Sequence, residues 1–182
     1  MNALTSLPTA ILETSAARIL LAKPKARFSL RARGDLAPFE AALGLSLGGP
    51  LGTRASTGSR ETIRLAPDEW MLHSTPSDAA AIEGACAALY DAHPHSLVSV
   101  SAREVTVVIE GPRAAELLTI GCPRDIAKIE PGSGRRTVFD GVTVILWRDA
   151  EDSFRMDVWN SFAPHLIDLL KIGARELAAE VA

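Results

Sequence analysis

From Arg27 onward, hydrophobic and polar positions along the chain fall into a repeating order. Phe28, Leu30 and Ala32 alternate with Ser29, Arg31 and Arg33, the two-residue period of a strand with one buried face. Asp35 then offers an N-cap, Phe39 and Leu43 lie one helical turn apart, and Gly44 closes the turn. The Gly/Ser/Thr-rich stretch from Ser46 to Ser59 reads as a flexible loop. Glu61 to Ala66 and Glu69 to Ser74 form a hairpin about Pro67-Asp68, since proline fixes φ and aspartate bonds locally in a turn. A helix follows, with Thr75 as cap, Pro76 at its first position, Asp78 near the positive dipole end, and Ile82, Cys86 and Leu89 as the buried stripe.

The second half runs through the same order. Val105, Val107 and Ile109 mark a strand, and Gly111-Pro112 opens a short helix carrying Ala114, Leu117 and Leu118. A polar loop with Pro131, Gly132 and Gly134 comes next. Thr137 to Phe139 and Val142 to Trp147 flank Asp140-Gly141, a strong hairpin dipeptide. Phe154, Met156 and Val158 alternate in a last strand. Asn160 or Ser161 caps a helix with Leu166, Leu170 and Leu177 facing inward. The pattern predicts an α+β fold built from a duplicated strand–helix–strand–strand–helix unit, with two sheets or one shared sheet. The expected layout is a single domain, 1–182, with a leader over 1–26 that includes a short helix from Thr9 to Arg18. The first repeat is expected over 27–95 and the second over 96–182.

Composition narrows the class. The 182 residues are 47% hydrophobic and 23% charged, ordinary for a globular chain, and the net charge of −3 gives no general attraction to nucleic acid or an anionic membrane. No apolar run approaches the roughly 18 residues of a membrane span. Met1 to Ala17 lacks the basic start and apolar core of a signal peptide, and two cysteines supply no disulfide framework, so the expected compartment is the cytoplasm.

Candidate chemistry is sparse. No P-loop, dinucleotide fingerprint or nucleophile elbow is present. His93-Pro94-His95 reads as a solvated linker rather than a metal-ligand pair, and His73 and His165 as surface or satisfied polar positions. Cys86 lies on an apolar stripe, and Cys122 follows a helix C-terminus whose partial negative charge disfavours a thiolate. No catalytic, cofactor-binding or metal-ligating residue is assigned. Candidate interface residues are Arg31, Arg33 and Trp159. Arg31 and Arg33 belong to a basic stretch with Lys23, Lys25 and Arg27, which either holds an anionic ligand or acidic partner or is a charged face kept wet. Trp159 is out of phase with Phe154, Met156 and Val158, so either a helix covers that face or the ring anchors an interface. Trp70 and Trp147 belong to the core.

Several stretches, taken in order, resemble the sarcosine oxidase gamma-subunit family. They are Leu65-Ala-Pro-Asp-Glu-Trp-Met-Leu72, Val105 to Ile109 with Glu110-Gly-Pro-Arg113, and Leu118-Thr-Ile-Gly-Cys-Pro-Arg-Asp125. Ile145-Leu-Trp-Arg148, Phe154 and Ser161-Phe-Ala163 complete the set. That family is similar in turn to the folate-binding domain of the glycine-cleavage aminomethyltransferase, itself a duplicated α+β unit. The resemblance implies a non-catalytic subunit of a heterotetrameric, flavin-dependent enzyme that demethylates sarcosine to glycine, releasing hydrogen peroxide and a one-carbon unit. It further implies docking on an alpha subunit, with beta and delta in the same complex. FAD, FMN, NAD and tetrahydrofolate would be carried by the other subunits. The transferase places an acidic residue beside the folate amine. Here the corresponding hairpin, Thr137 to Trp147, offers only Asp140, which its Asp-Gly context commits to the turn, so no buried catalytic acid is expected. The rival reading is a stand-alone folate-binding or one-carbon transfer protein, with the basic stretch receiving the folate glutamate tail. A third is an interaction module of another amine-oxidising complex.

Overall fold

The computed structural model describes residues 8–180. In chain order the strands are β1 (Thr9–Glu13), β2 (Arg18–Leu21), β3 (Ala26–Arg31), β4 (Arg54–Thr57), β5 (Arg60–Ala66), β6 (Glu69–Ser74), β7 (Ser96–Ser99), β8 (Glu104–Glu110), β9 (Ser133–Phe139), β10 (Val142–Ala150) and β11 (Ser153–Trp159). The helices are α1 (Ala37–Leu43), α2 (Ala79–Ala87), α3 (Ala114–Thr119) and α4 (Ala163–Ala179). Two antiparallel sheets result, one ordered β4-β5-β6-β3-β7 and the other β9-β10-β11-β8-β2-β1. The chain divides into two compact units, one of Pro24–Ala102 and one of the residues from Arg103 onward with those up to Lys23.

The duplicated α+β fold is observed, with one strand more per copy than the expected strand–helix–strand–strand–helix unit, and the strand not read from the hydrophobic pattern is β4 of the first copy. β3-α1-β4-β5-β6-α2 corresponds element by element to β8-α3-β9-β10-β11-α4, and the four strands of each copy pair in the same spatial order. The extra strand β4 lies inside the stretch expected to be a flexible loop, where Arg54–Thr57 pairs with β5. Its counterpart β9 begins at Ser133, earlier than expected, and takes in Gly134.

Each copy is completed by a strand from outside it. β7, expected to open the second repeat, pairs with β3 in the first. β2, expected within a leader, pairs with β8 in the second. The predicted helix over Thr9 to Arg18 is therefore replaced by the β1–β2 hairpin, and the remainder of that leader, residues 1–7, lies outside the described residues. The turn is held by Thr14, whose hydroxyl donates to the Ala17 carbonyl at 2.9 Å and accepts from the Ala16 and Ala17 amides. This threonine turn competes with helix locally, and pairing with the edge of β8 decides the outcome.

In each unit the helices cover one sheet face. Phe28, Leu30, Trp70 and Leu72 from β3 and β6 pack with Phe39, Leu43, Ile82 and Cys86 from α1 and α2. Val107, Ile109, Phe154, Met156 and Val158 pack with Leu117, Leu118, Leu166 and Leu170 from α3 and α4. Each such fully buried side chain contributes about 1.5–3 kcal/mol of transfer free energy. Both hairpin predictions hold: Ala66 faces Glu69 across Pro67-Asp68, and Phe139 faces Val142 across Asp140-Gly141. The latter turn has φ of 47° and 77° at its two central residues, the left-handed pair that matches the strand twist.

The expected caps are only partly realised. Asp35 does accept from the Ala37 amide at 3.0 Å. Thr75, Asn160 and Ser161 are not side-chain caps: Pro76–Asp78 forms a separate short 3-10 turn before α2, and α4 starts from Phe162 with Pro164 in its first turn. Asp78 is taken instead by Arg60.

Candidate functional site

The basic stretch folds onto the β5–β6 hairpin, which meets it with carboxylates. Lys25 Nζ lies 2.7 Å from Glu61 Oε1, Arg31 3.0 Å from Glu69, and Arg33 2.8 Å from Asp68. Arg27, a member of the same basic stretch, is buried, and its guanidinium donates to the Lys25 carbonyl at 3.4 Å. The Arg33 guanidinium beside Asp68 holds that carboxyl below the usual carboxylate range. Of the candidate pair, Arg31 is anchored to a buried acid, whereas the Arg33 side chain stays 86% exposed. The turn residue Asp68 thus reverses the chain and also partners the arginine.

Trp159 belongs to the other unit. It ends β11 opposite Glu104, and its side chain remains 46% exposed. Phe162, at the start of α4, is 44% exposed with its ring centroid 6.3 Å from the indole. The Arg103 guanidinium lies 4.9 Å over the same indole and donates to Glu104 at 2.7 Å. Of the two readings of the strand phase, the exposure favours a surface ring over one covered by a helix. Sequence reasoning missed Arg103 and Phe162, although Phe162 was signalled by falling just before a Pro-containing helix start.

The histidines and cysteines singled out in the sequence are each packed or bonded to neighbouring groups. Asp140 accepts or shares a hydrogen bond with His165 Nε2 at 2.6 Å, so His165 is a satisfied surface histidine. His73 is buried rather than superficial, with Nδ1 3.4 Å from Glu61. His93 and His95 are not a free linker: the His95 ring packs edge-on to Phe39 at 4.9 Å and to Tyr90 at 5.5 Å. Cys86 is buried among α1 and α2 residues, and desolvation pushes its thiol up. Cys122 is buried with Sγ 3.8 Å from the Thr137 hydroxyl. Among the described residues, no cluster of three His, Cys, Asp or Glu side chains is placed to hold a metal ion.

A buried acid on β11 was missed. Asp157 on β11 is 2% exposed, accepts from Trp147 Nε1 at 2.6 Å, and accepts a short hydrogen bond from the Thr106 hydroxyl. The β9–β10 hairpin carries no buried carboxylate, as expected, but the neighbouring strand does. The signal was the alternation of β11, which puts Asp157 on the same face as the buried Trp147 of β10 rather than in solvent. Two neutral donors fix this carboxylate between β8 and β10, a structural commitment of the kind a buried acid needs.

The family described as sarcosine oxidase, gamma subunit family matches residues 33–176. The chain is 32% identical over 152 residues to the sarcosine oxidase subunit gamma of Corynebacterium sp. strain U-96, covering 80% of this chain and 72% of that protein. This chain belongs to the sarcosine oxidase gamma-subunit family. A second member, the subunit gamma of Corynebacterium sp. strain P-1, is 29% identical over 150 residues, covering 81% of this chain and 73% of that protein. Among solved structures, the heterotetrameric sarcosine oxidase from Corynebacterium sp. U-96 in complex with pyrrole 2-carboxylate contains a similar chain. The TM-score is 0.80 at 25% identity, with 93% of this chain and 89% of that one covered. The fold is shared with the glycine cleavage system aminomethyltransferase T from Bartonella henselae, at a TM-score of 0.66 and 16% identity, covering 86% of this chain and 46% of the transferase. The gamma-subunit family thus keeps a duplicated scaffold that also occurs in a transferase. No helix is long and apolar enough to cross a membrane among the described residues.

Proposed function

We propose that this chain is a non-catalytic gamma subunit of a heterotetrameric, flavin-dependent sarcosine oxidase, docking on the alpha subunit in a complex with beta and delta. The observation that carries the reading is the end-to-end likeness to a chain of the heterotetramer, which leaves little of either chain unmatched. A non-catalytic role is supported by the commitments of Asp140, Asp157, Cys86 and Cys122 to turns, hydrogen bonds and core packing. In the assembly, FAD, FMN, NAD and tetrahydrofolate would lie on the other subunits, and sarcosine would be demethylated to glycine with release of hydrogen peroxide and a one-carbon unit. The surface proposed for docking is the Trp159–Phe162 pair under Arg103, because exposed aromatic and arginine side chains are the commonest interface anchors.

Co-expression with the alpha, beta and delta chains tests this. The expected result is co-elution in one complex, with Trp159→Ala weakening retention by about tenfold or more, as loss of an anchor does. A complete complex that forms while this chain elutes separately would end the proposal. The rival reading, stand-alone folate binding, relies on the basic stretch, of which Lys25, Arg31 and Arg33 already face carboxylates of the chain. Saturable binding of tetrahydrofolate to the isolated chain would revive it.

A further inference from the structure

Beside the exposed rings of Trp159 and Phe162 lies a carboxylate that is only half satisfied. Glu104 stands directly opposite Trp159 in the β8–β11 ladder, so the two side chains are neighbours on one face of the sheet. The glutamate is 6% exposed. Its Oε1 accepts from the Arg103 guanidinium at 2.7 Å, whereas its Oε2 is buried with no hydrogen-bond partner.

A buried acceptor left open is costly, and more so on a charged group. Asp157, two residues before Trp159 on β11, shows the contrast. It is also buried, but it accepts on both oxygens, from Thr106 and Trp147. Glu104 lacks the second donor that the chain supplies to its neighbouring acid. Arg103 engages one oxygen only, so a second donor can share the carboxylate across the other.

The neighbouring groups select the kind of donor. Trp159 and Phe162 are 46% and 44% exposed, and such rings offer apolar area to an aliphatic stem that ends in a charge. Arg103 already lies 4.9 Å over the indole, one cation on a ring whose faces attract them. A charged donor would close the open carboxylate bond with roughly twice the strength of a neutral one.

We propose that the partner seated on Trp159 and Phe162 presents a lysine or arginine side chain, its stem on the two rings and its cationic head donating to Glu104 Oε2. Rotamer changes are common where partners dock on an unmoved backbone, and a swing of the half-exposed indole opens Oε2 to the incoming head. This assignment rests on the docking reading of the Trp159 surface and adds the chemistry of what docks there.

The test uses the co-expressed assembly and reads how much of this chain stays with alpha on dilution. Glu104→Gln keeps the side-chain volume and an oxygen for Arg103 but removes the charge, and it should weaken retention by about tenfold or more. Alpha chains carrying single Lys→Met or Arg→Met changes complete a double-variant cycle. One of them should weaken retention to a similar degree and cause little further loss when combined with Glu104→Gln. Any effect of Glu104→Gln on the folding of this chain enters both legs of the cycle and cancels. Retention that Trp159→Ala weakens and Glu104→Gln does not would overturn the basic partner and leave the docking surface standing. A loss with Glu104→Gln that couples to no basic residue of alpha would overturn it as well. If neither variant weakens retention, the docking surface and its basic partner fall together.

Discussion

The two units share an element order and differ in how the chain supplies it. In one, a continuous stretch from Pro24 to Ala102 provides all five strands. In the other, β8 to β11 are completed by a hairpin that lies before the first unit in sequence. Each copy's first strand is flanked by the segment that immediately precedes the other copy's first strand. A duplication can thus be exact in spatial order while its boundaries in sequence do not coincide with its repeats. Both units rely on a long-range pairing, β3 with β7 in one and β8 with β2 in the other, and loop-closure cost grows so slowly with length that the two differ little in it.

The sharpest way to break the comparison is to remove residues 1–22. Pairing with β8 would go, together with the buried Ala16, Ala17 and Ile19. The expected outcome is loss of amide-exchange protection through β8 and β11, with β3, β5 and β6 losing far less. Equal loss in both sheets would show that continuity of the chain does not distinguish the units.

A smaller effect separates two glycines that follow the first strand of each copy. Gly34 has φ of 79° with open space where a Cβ would stand, whereas at Gly111, φ 126°, a Cβ would lie 3.0 Å from Ala17 Cα and 3.1 Å from the Ala16 carbonyl. Both atoms are backbone of the β1–β2 hairpin turn and cannot swing aside. Gly34→Ala should cost about 1 kcal/mol and Gly111→Ala about 3 kcal/mol in chemical denaturation, because only the second adds overlap to backbone strain. Similar costs would mean that the hairpin yields.

Much of this frame was legible in the sequence. The alternation of Phe28 to Ala32 and of Phe154 to Val158, the two hairpin turns and the stripes of α2 and α4 all follow from local pattern and turn chemistry. What stayed hidden was decided by partners distant in sequence. β2, β4 and β7 are only four residues each, too short to show a period, and they exist because a neighbouring strand offers an edge. Asp157 looked solvated because alternation tells which face a residue takes, not whether that face is buried. The carboxylates opposite Arg31 and Arg33 were equally invisible, since register between β3 and β6 sets them. Trp159 was correctly placed out of phase, and its neighbours Arg103 and Phe162 required the fold.

Acid pH gives a further point of contrast. Arg60 grips Asp78 through two hydrogen bonds of 2.6 and 2.8 Å, and with the Ser74 hydroxyl it holds the carboxyl down to about 2. The folded-state value lies below the unfolded one, so the contribution is complete above about pH 4 and lost as pH falls through about 2. It amounts to roughly 2 kcal/mol for this largely shielded pair. Asp78→Asn should lower stability at neutral pH and flatten the acid limb of the stability curve. The corresponding tie in the other unit joins Arg113 to Glu116 and Glu180, whose side chains are 51% and 63% exposed. Glu116→Gln should leave the curve nearly unchanged. An acid limb that survives Asp78→Asn would place the sensitivity elsewhere.

The finest contrast is between the two buried tryptophans. Both indole N–H groups are satisfied, but Trp70 donates to a neutral carbonyl at 2.9 Å, and Trp147 to the buried carboxylate of Asp157 at 2.6 Å. Replacing each with Phe removes the same atoms from sites that are both nearly inaccessible, so the lost packing is similar and the acceptor is the main difference. A hydrogen bond to a neutral group contributes about 0.5–1.5 kcal/mol, and one to a charged group about 1.5–3 kcal/mol. Trp147→Phe should therefore exceed Trp70→Phe by about 1 kcal/mol in urea denaturation. Adding Asp157→Asn to Trp147→Phe should recover part of that excess, because a neutral amide is less costly to leave short of a donor than a carboxylate. Equal costs for the two tryptophans, or no recovery in the double variant, would show that Asp157 is not sustained by the indole, and that the polar rows of the two sheets are energetically alike.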